Sequence, residues 1–347
     1  MNKIWCEVDK STLKQNIQNI KKIIPNKKVI AVLKANAYGL GAKGVANVIS
    51  KDVDMFAVSN LNEYKSLNTE KDVLLMSPLC SIDDFECNNK NLILSISNEN
   101  TIDKIDKKIP YRVHLFVDTE SYRMGIPISR LDCVINKIKS EFPLIAIEGI
   151  YTHFHNCSDE NSTMQQILSF KNATYKYKDK LMIHCLASSS ILNKQLREAC
   201  NFTSAYRVGN LLYGFMGKNM GMKPCYKFKA RVLHIESVKK DEFVGFGANY
   251  YKMKKDTIVG IIEAGSFYNV GCSRDSNKNI FIDTAKSIKQ SIKRPTYVSH
   301  KGKKIDIIGN INMNSTVIDL THNPNINVVN LHMSPVLADS SIEKIYI

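Results

Sequence analysis

Residues 29–41 have the sequence VIAVLKANAYGLG, in which five apolar residues lead directly into Lys34. A short run of this kind is typical of a strand buried on both faces, as in a parallel sheet. Just upstream, residues 11–24 place apolar side chains at helical spacing behind Ser11, a favourable N-cap. The segment therefore predicts a helix followed by a buried strand with a lysine at its carboxyl end.

Seven further apolar runs follow this strand, and most of the gaps between them are long enough for a helix. Strands that alternate with helices are the pattern of βα units, and eight units predict a (β/α)8 TIM-type barrel. A doubly wound open sheet is the alternative. The seven runs are residues 55–58, 73–76, 92–96, 112–117, 147–152, 182–186 and 205–208.

After Gly217 the pattern changes to β-rich segments separated by polar turns. This change predicts a second, mostly antiparallel β domain, with the domains at residues 1–220 and 221–347. The first few residues could form a strand of either domain. The predicted strands of the second domain are residues 228–238, 257–263, 279–283, 296–300, 305–313 and 326–331.

Composition excludes several classes of protein. The formal charge is +15, but the lysines are dispersed and form no basic run interleaved with aromatics, so we expect no nucleic-acid partner. Nine cysteines without a Cys-x-x-Cys pair suit a reducing compartment. No leader or membrane span is apparent, so we expect a cytoplasmic protein without a membrane partner. His153 and His155 lack a third ligand nearby, so no metal site is predicted.

Five functional side chains fall at or just after the ends of predicted strands, and a barrel collects such positions at one rim. Each has an ordinary structural explanation when it is taken alone. Together, with a phosphate site after strands seven and eight, they favour a cofactor site. These residues are Lys34, Arg123, His153, Ser188 and Arg207.

The run from Ala31 to Gly41 resembles the cofactor-lysine signature of the alanine racemase family, and the resemblance covers nearly the whole chain. It implies that Lys34 holds pyridoxal 5'-phosphate as a Schiff base and acts as a catalytic base. It also implies a small amino-acid substrate, alanine by default, and a homodimer in which the second domain of one subunit completes the active site of the other. The further cofactor contacts that it implies are Tyr38, Ser188, Gly209 and Asn210 at the phosphate, Arg123 at the ring oxygen, His153 on the ring and Arg207 at the pyridine nitrogen.

Arg207 bears on the type of reaction. A guanidinium stays protonated, so it leaves the pyridine nitrogen unprotonated and weakens the cofactor as an electron sink. A weak sink disfavours a long-lived carbanion, and proton exchange then needs one base on each face of the substrate. Decarboxylases of this barrel carry an acidic partner instead, so Arg207 favours a racemase.

The second domain departs from the family at functional positions. Phe246 stands where the second base, a tyrosine, is usual, and Asn312 and Met313 lie in an altered substrate-side segment. Phe116 occupies the position of a lysine that is carbamylated in many members. Three interpretations follow: an amino-acid racemase, with or without a change of specificity; another reaction at the α-carbon, such as elimination or decarboxylation; or a non-catalytic cofactor-binding homologue.

Phe246→Tyr tests the second-base position, because a phenyl ring cannot exchange a proton. We expect the variant to gain at least about tenfold in alanine racemisation, measured by chiral chromatography, since a general base contributes about 10²–10⁴-fold. Tyr250, Tyr251, Tyr268 and Cys272 are candidates for a relocated base. An unchanged rate in Phe246→Tyr, together with loss of activity when one of these tyrosines becomes phenylalanine, would instead support relocation.

Overall fold

The computed structural model describes residues 3–77, 89–122, 124–245, 250–272 and 297–347, which form two compact units. One unit is Lys10–Cys225, and the other joins the amino-terminal strand to Tyr226–Ile347. The strand Ile4–Val8 thus belongs with the second unit, and residues 221–225 belong with the first. The compact units therefore differ from the predicted division at residue 220 in these two segments.

The first unit is a closed barrel of eight parallel strands, as predicted. Pairing between the fourth and fifth barrel strands closes the ring, which rules out the open doubly wound sheet. In order around the barrel the strands are β2 (Lys28–Val32), β3 (Met55–Val58), β4 (Val73–Leu75), β5 (Leu92–Ile96), β6 (Arg112–Asp118), β8 (Ala146–Tyr151), β9 (Met182–His184) and β10 (Ala205–Val208), with β1 (Ile4–Val8) in the second unit and the two-residue β7 (Ile126–Pro127) beside β6.

Helices follow most of these strands. The described helices are α1 (Lys10–Ile23), α2 (Lys34–Tyr38), α3 (Ala42–Ile49), α4 (Leu61–Leu67), α5 (Glu99–Ile102), α6 (Leu131–Glu141), α7 (Glu160–Thr174), α8 (Ser188–Leu192) and α9 (Lys194–Ala199). Short 3-10 turns lie at Ile128–Arg130, Tyr175–Tyr177, Lys218–Met220 and Ser266–Tyr268. No described helix is long and apolar enough to cross a membrane.

Helix α1 begins at Lys10, so Ser11 lies inside it and is not its N-cap. A buried amide on its apolar face, Asn16, fixes the chain that leaves the last barrel strand. Its Nδ2 donates to the carbonyls of Leu212 and Lys223 at 3.0 and 2.8 Å, and its Oδ1 accepts from the Lys223 amide at 2.9 Å. Because a buried amide must be satisfied, this set of bonds specifies one position for the connection.

The amino-terminal end of the barrel is held by Arg112 at the start of β6. Its guanidinium makes two-pronged contacts with Asp72 (2.6 and 2.8 Å) and Glu148 (2.7 and 2.8 Å). Asp72 directly precedes β4, Glu148 lies in β8, and the Lys90 carbonyl before β5 accepts a further bond at 2.7 Å. One side chain therefore ties four neighbouring strands, at the end of a barrel that serves stability and not catalysis.

The second unit is a mostly antiparallel sheet around one long strand, β11 (Tyr226–Val238). This strand pairs with β1, β14 (Thr257–Ile262) and β19 (Val328–Leu331). The remaining strands are β12 (Phe243–Val244), β13 (Tyr251–Lys252), β15 (Val298–His300), β16 (Lys303–Ile305), β17 (Ile307–Ile308), β18 (Thr316–Asp319) and β20 (Glu343–Tyr346), of which β20 pairs in parallel with β1.

One predicted strand of this unit, residues 305–313, is wrong for most of its length. Strand structure occurs only within its first four residues, and the chain then turns at Gly309, where φ is 68°. A positive φ interrupts a sheet ladder, and apolar residues in the turn mimicked a strand pattern. The predicted strand at residues 279–283 lies outside the described residues.

Arg112→Met should lower the urea midpoint of unfolding, because it leaves two carboxylates at the barrel end without their shared cation. We expect a loss of about 1–3 kcal/mol. Arg130→Met is the matched control, since Arg130 contacts a single carboxylate and is 51% exposed against 28% for Arg112. The control should lose less than about 1 kcal/mol. Circular dichroism monitors unfolding of both variants in urea. Equal losses of stability in the two variants would contradict the role given to Arg112.

Candidate functional site

A cavity of about 530 Å³ opens at the carboxyl ends of the barrel strands. Seven of the eleven residues predicted to contact the cofactor or the substrate line it. Lys34 and His153 each stand two residues after a strand, Ser188 begins α8, and Arg207 lies in β10. The full set is Lys34, Tyr38, His153, Ser188, Arg207, Gly209 and Asn210.

The other four positions are placed differently. Arg123 and Phe246 lie outside the described residues. Asn312 and Met313 lie in a loop of the second unit, where Asn312 is buried and Met313 is 67% exposed. Their carbonyls accept the amides of Ser266 and Phe267, each at 2.9 Å.

The backbone after Lys34 turns in the left-handed sense. Residues 35–38 have φ between 51° and 56°, and the Gly39 amide closes the turn by donating to the Ala35 carbonyl at 2.8 Å. For non-glycine residues this conformation costs roughly 1–2 kcal/mol each. The turn brings the side chains of Lys34 and Tyr38 to the same cavity, so the strain is stored at the site.

Glu63 stabilises this strained turn. One carboxylate oxygen accepts the Ala35 amide at 2.6 Å, and the other accepts the Ser59 amide at 2.7 Å, joining the ends of β2 and β3. The Asn60 side chain accepts the Glu63 amide at 3.0 Å and caps α4. Sequence reasoning missed Glu63. The Asn60-x-x-Glu63 pattern is a capping-box signal, but here the carboxylate reaches past the cap to Ala35.

Backbone amides and hydroxyls come together in the same cavity as Lys34. The Ser188 hydroxyl accepts the amides of Gly209 and Leu211 at 3.0 and 3.3 Å. A Cβ at Gly209 would lie 2.5 Å from the Tyr38 hydroxyl, so glycine is required for this approach. Backbone amides and hydroxyls that converge in this way are suited to an anionic group such as a phosphate.

Arg207 is a buried cation, only 4% exposed. It donates to His184 Nδ1 at 2.7 Å and to the Thr152 carbonyl at 2.6 Å, and it lies 3.4 Å from His153 Nδ1. No ion pair of Arg207 with a carboxylate occurs in the described part of the chain, and burial lowers the pKa of the guanidinium. The positive charge is thus surrounded by neutral acceptors on one side and by the cavity on the other.

Two buried histidines lie behind Arg207. His184 Nε2 is 3.0 Å from His114 Nδ1, and burial lowers the pKa of both imidazoles, that of His114 to about 3. Tyr151 stacks on His184 with centroids 4.9 Å apart, and Phe116 stacks on Tyr151 at 4.7 Å. Burial also raises the pKa of Tyr151 to about 12. The wall behind Arg207 is therefore aromatic and uncharged at neutral pH.

No group of three His, Cys, Asp or Glu side chains arranged to hold a metal ion occurs among the residues that the structure describes. Cys185 and Cys200 are reduced thiols whose sulfurs are 3.4 Å apart.

Two family descriptions and several known proteins match this chain. The family descriptions "Alanine racemase, N-terminal domain" and "Alanine racemase, C-terminal domain" match residues 8–216 and 225–341. An alanine racemase of Fusobacterium nucleatum is 28% identical over 90% of this chain and 85% of its own length, and one of Haemophilus influenzae is 27% identical over 91% and 84%. The structure of alanine racemase from Clostridium difficile 630 superposes with a TM-score of 0.83 at 21% identity, covering 100% of this chain and 96% of that one. The two family matches span both units of the fold, and the chain therefore belongs to the alanine racemase family.

Proposed function

We propose that the chain is a pyridoxal-phosphate-dependent amino-acid racemase that interconverts L-alanine and D-alanine. The observation that carries this proposal is the buried guanidinium of Arg207, without a carboxylate partner in the described chain, in the same cavity as Lys34. The family match supports the cofactor and the reaction, because the matched relatives are alanine racemases.

The residues present fit the cofactor. Arg207 lines the cavity and has no carboxylate partner in the described chain, so its N–H groups can donate to a neutral acceptor such as an unprotonated pyridine nitrogen. The cradle of Tyr38, Ser188 and Gly209, which a Cβ at position 209 would fill, suits a phosphate. We propose that Lys34 holds the cofactor covalently, that Asn210 adds a backbone contact to the phosphate, and that His153 lies on the ring.

When bound, pyridoxal phosphate supplies a carbonyl carbon for an amine and a ring that weakens the α-C–H bond of the amino acid. Lys34 supplies the amine and takes or returns the α-proton on its own face. Arg207 keeps its charge and donates only, so it gives no proton to the ring and favours proton return over loss of other groups. Arg123, outside the described residues, is proposed at the ring oxygen.

The second face of the substrate needs its own proton donor. We propose that the working unit is a homodimer in which the second unit of one subunit completes the site of the other, with Asn312 and Met313 on the substrate side. Phe246 cannot serve as the base. Tyr250 is exposed and Tyr251 and Tyr268 are partly exposed, which leaves their hydroxyls available as substitutes. Phe246 is also the observation that favours the alternative, a non-catalytic cofactor-binding homologue.

The test is to incubate purified protein, loaded with pyridoxal phosphate, with L-alanine in heavy water. We expect D-alanine that carries deuterium at the α-carbon. Lys34→Ala should lose this exchange by at least about 10²-fold and should lose the borohydride-fixed pyridoxyl group, because the amine is gone. Lys43→Ala, which removes an exposed lysine of α3, is the control and should keep both.

Two outcomes would contradict the proposal. Deuteration without inversion would indicate a different reaction at the α-carbon. The second outcome is a protein that binds the cofactor through Lys34 but neither deuterates nor inverts any common L-amino acid. That result would favour the non-catalytic alternative.

Glu63→Gln should weaken cofactor binding, because the Ala35 and Ser59 amides donate to different oxygens of Glu63 and one of these becomes an NH2 group that cannot accept. We expect the dissociation constant for pyridoxal phosphate to rise about tenfold, as loss of one charge-assisted hydrogen bond suggests, with little change in thermal unfolding of the cofactor-free protein. Glu70→Gln, an exposed carboxylate three residues beyond α4, is the control. Fluorescence titration with pyridoxal phosphate measures the dissociation constant of both variants. An unaltered constant in Glu63→Gln would show that the turn does not depend on this contact.

A further inference from the structure

We propose that His184 and His114 are positioning residues that form a directional hydrogen-bond relay behind Arg207 and fix its orientation toward the cofactor ring. This inference rests on the proposed function for its consequence. The arrangement itself is a property of the folded chain and can be tested without substrate.

The direction of every hydrogen bond in the relay follows from Arg207. A guanidinium has donors only, so His184 Nδ1, 2.7 Å away, must be the acceptor. The proton of the neutral His184 ring then lies on Nε2, which donates to His114 Nδ1 at 3.0 Å. His114 must in turn carry its proton on Nε2. One permanently charged side chain therefore sets the tautomer of two imidazoles in sequence.

The relay crosses four neighbouring strands, from β6 through β8 and β9 to β10. His114 on β6 pairs in register with Gly149 on β8, and a Cβ at Gly149 would lie 2.7 Å from the His114 ring. Glycine at this position is what allows the His114 imidazole to reach across β8 to His184. Stacking on Tyr151 fixes the plane of the His184 ring at an angle of 3°.

The neutrality of the relay matters for Arg207. Protonation of either imidazole would place a second positive charge in a buried chain already facing Arg207, and would put two N–H groups against each other. Burial and the charges of Arg112 and Arg207 lower the pKa of His114, and a smaller effect of Asp72 raises it. The net effect keeps the ring neutral. A carboxylate in place of His184 would neutralise Arg207, whereas imidazoles orient the guanidinium and leave its charge available to the cavity.

The tautomers can be measured on the natural protein. Long-range ¹H–¹⁵N spectra of histidine-labelled protein, without cofactor, should show two rings that carry the proton on Nε2 and do not titrate between pH 6 and pH 8. The signal that disappears in a His114 variant is assigned to His114. A proton on His184 Nδ1, or titration of either ring in that range, would overturn the relay.

A matched pair of variants separates acceptor from packing. Asn and Leu have nearly the same shape, but only Asn offers an oxygen near the position of His114 Nδ1. We expect His114→Leu to lower kcat for alanine about tenfold, with KM changed less than about twofold, and to shift the absorption band of bound pyridoxal phosphate. His114→Asn should recover kcat to within about threefold of the natural protein. His322→Leu, an exposed histidine of the second unit, is the control.

Each result decides a separate point. Equal loss in the Asn and Leu variants would reduce His114 to packing and overturn its role as acceptor, and unchanged kcat in both would do the same. If the Leu variant fails to fold, the tautomer spectra of the natural protein still decide the relay. If the natural protein neither binds the cofactor nor racemises alanine, the proposed function fails while those spectra still test the relay.

Discussion

The buried charge of Arg207 is the constraint on which the site depends. An ion removed from water without a counter-ion is strongly disfavoured, so its surroundings must supply acceptors with the right geometry. Here the acceptors are a carbonyl at the end of β8 and an imidazole at the end of β9. Both are placed by neighbouring strands of one closed sheet, so the barrel must be complete before the charge can be held.

The strained backbone after Lys34 also depends on the closed barrel. Left-handed backbone at residues 35–38 persists only where surrounding contacts over-determine it. Glu63 on the adjacent βα unit and the packing of Tyr38 against Tyr213, with ring centroids 5.1 Å apart, supply such contacts. The amine and the hydroxyl of one short segment are thereby directed into one cavity, which an unstrained helix starting at Lys34 would not guarantee.

The barrel was predictable because each buried parallel strand has a local sequence pattern, a short apolar run between gaps long enough for a helix. Residues at strand ends then follow from topology, which is why the sequence alone was enough to assign Lys34, His153 and Arg207 to one rim. Glu63 and His114 could not be found in this way, because their partners are 28 and 70 residues away in the chain and no periodicity records a pairing. The strand predicted at residues 305–313 failed for the opposite reason, since apolar residues in a turn imitate a local pattern.

The two halves of the fold are under different physical constraints. In the barrel, the contacts proposed for the cofactor come from strand ends and short turns whose positions are coupled through a common core, so a change at one propagates to others. Asn312 and Met313 lie in a loop of the second unit, and loops can change sequence without disturbing a sheet. A chain can therefore keep a barrel built for one cofactor while the loops that would select substrate and supply the second base diverge. Phe246, which lies outside the described residues, stands where the resemblance places the second base, so the family match supports the proposed cofactor more strongly than it supports the substrate.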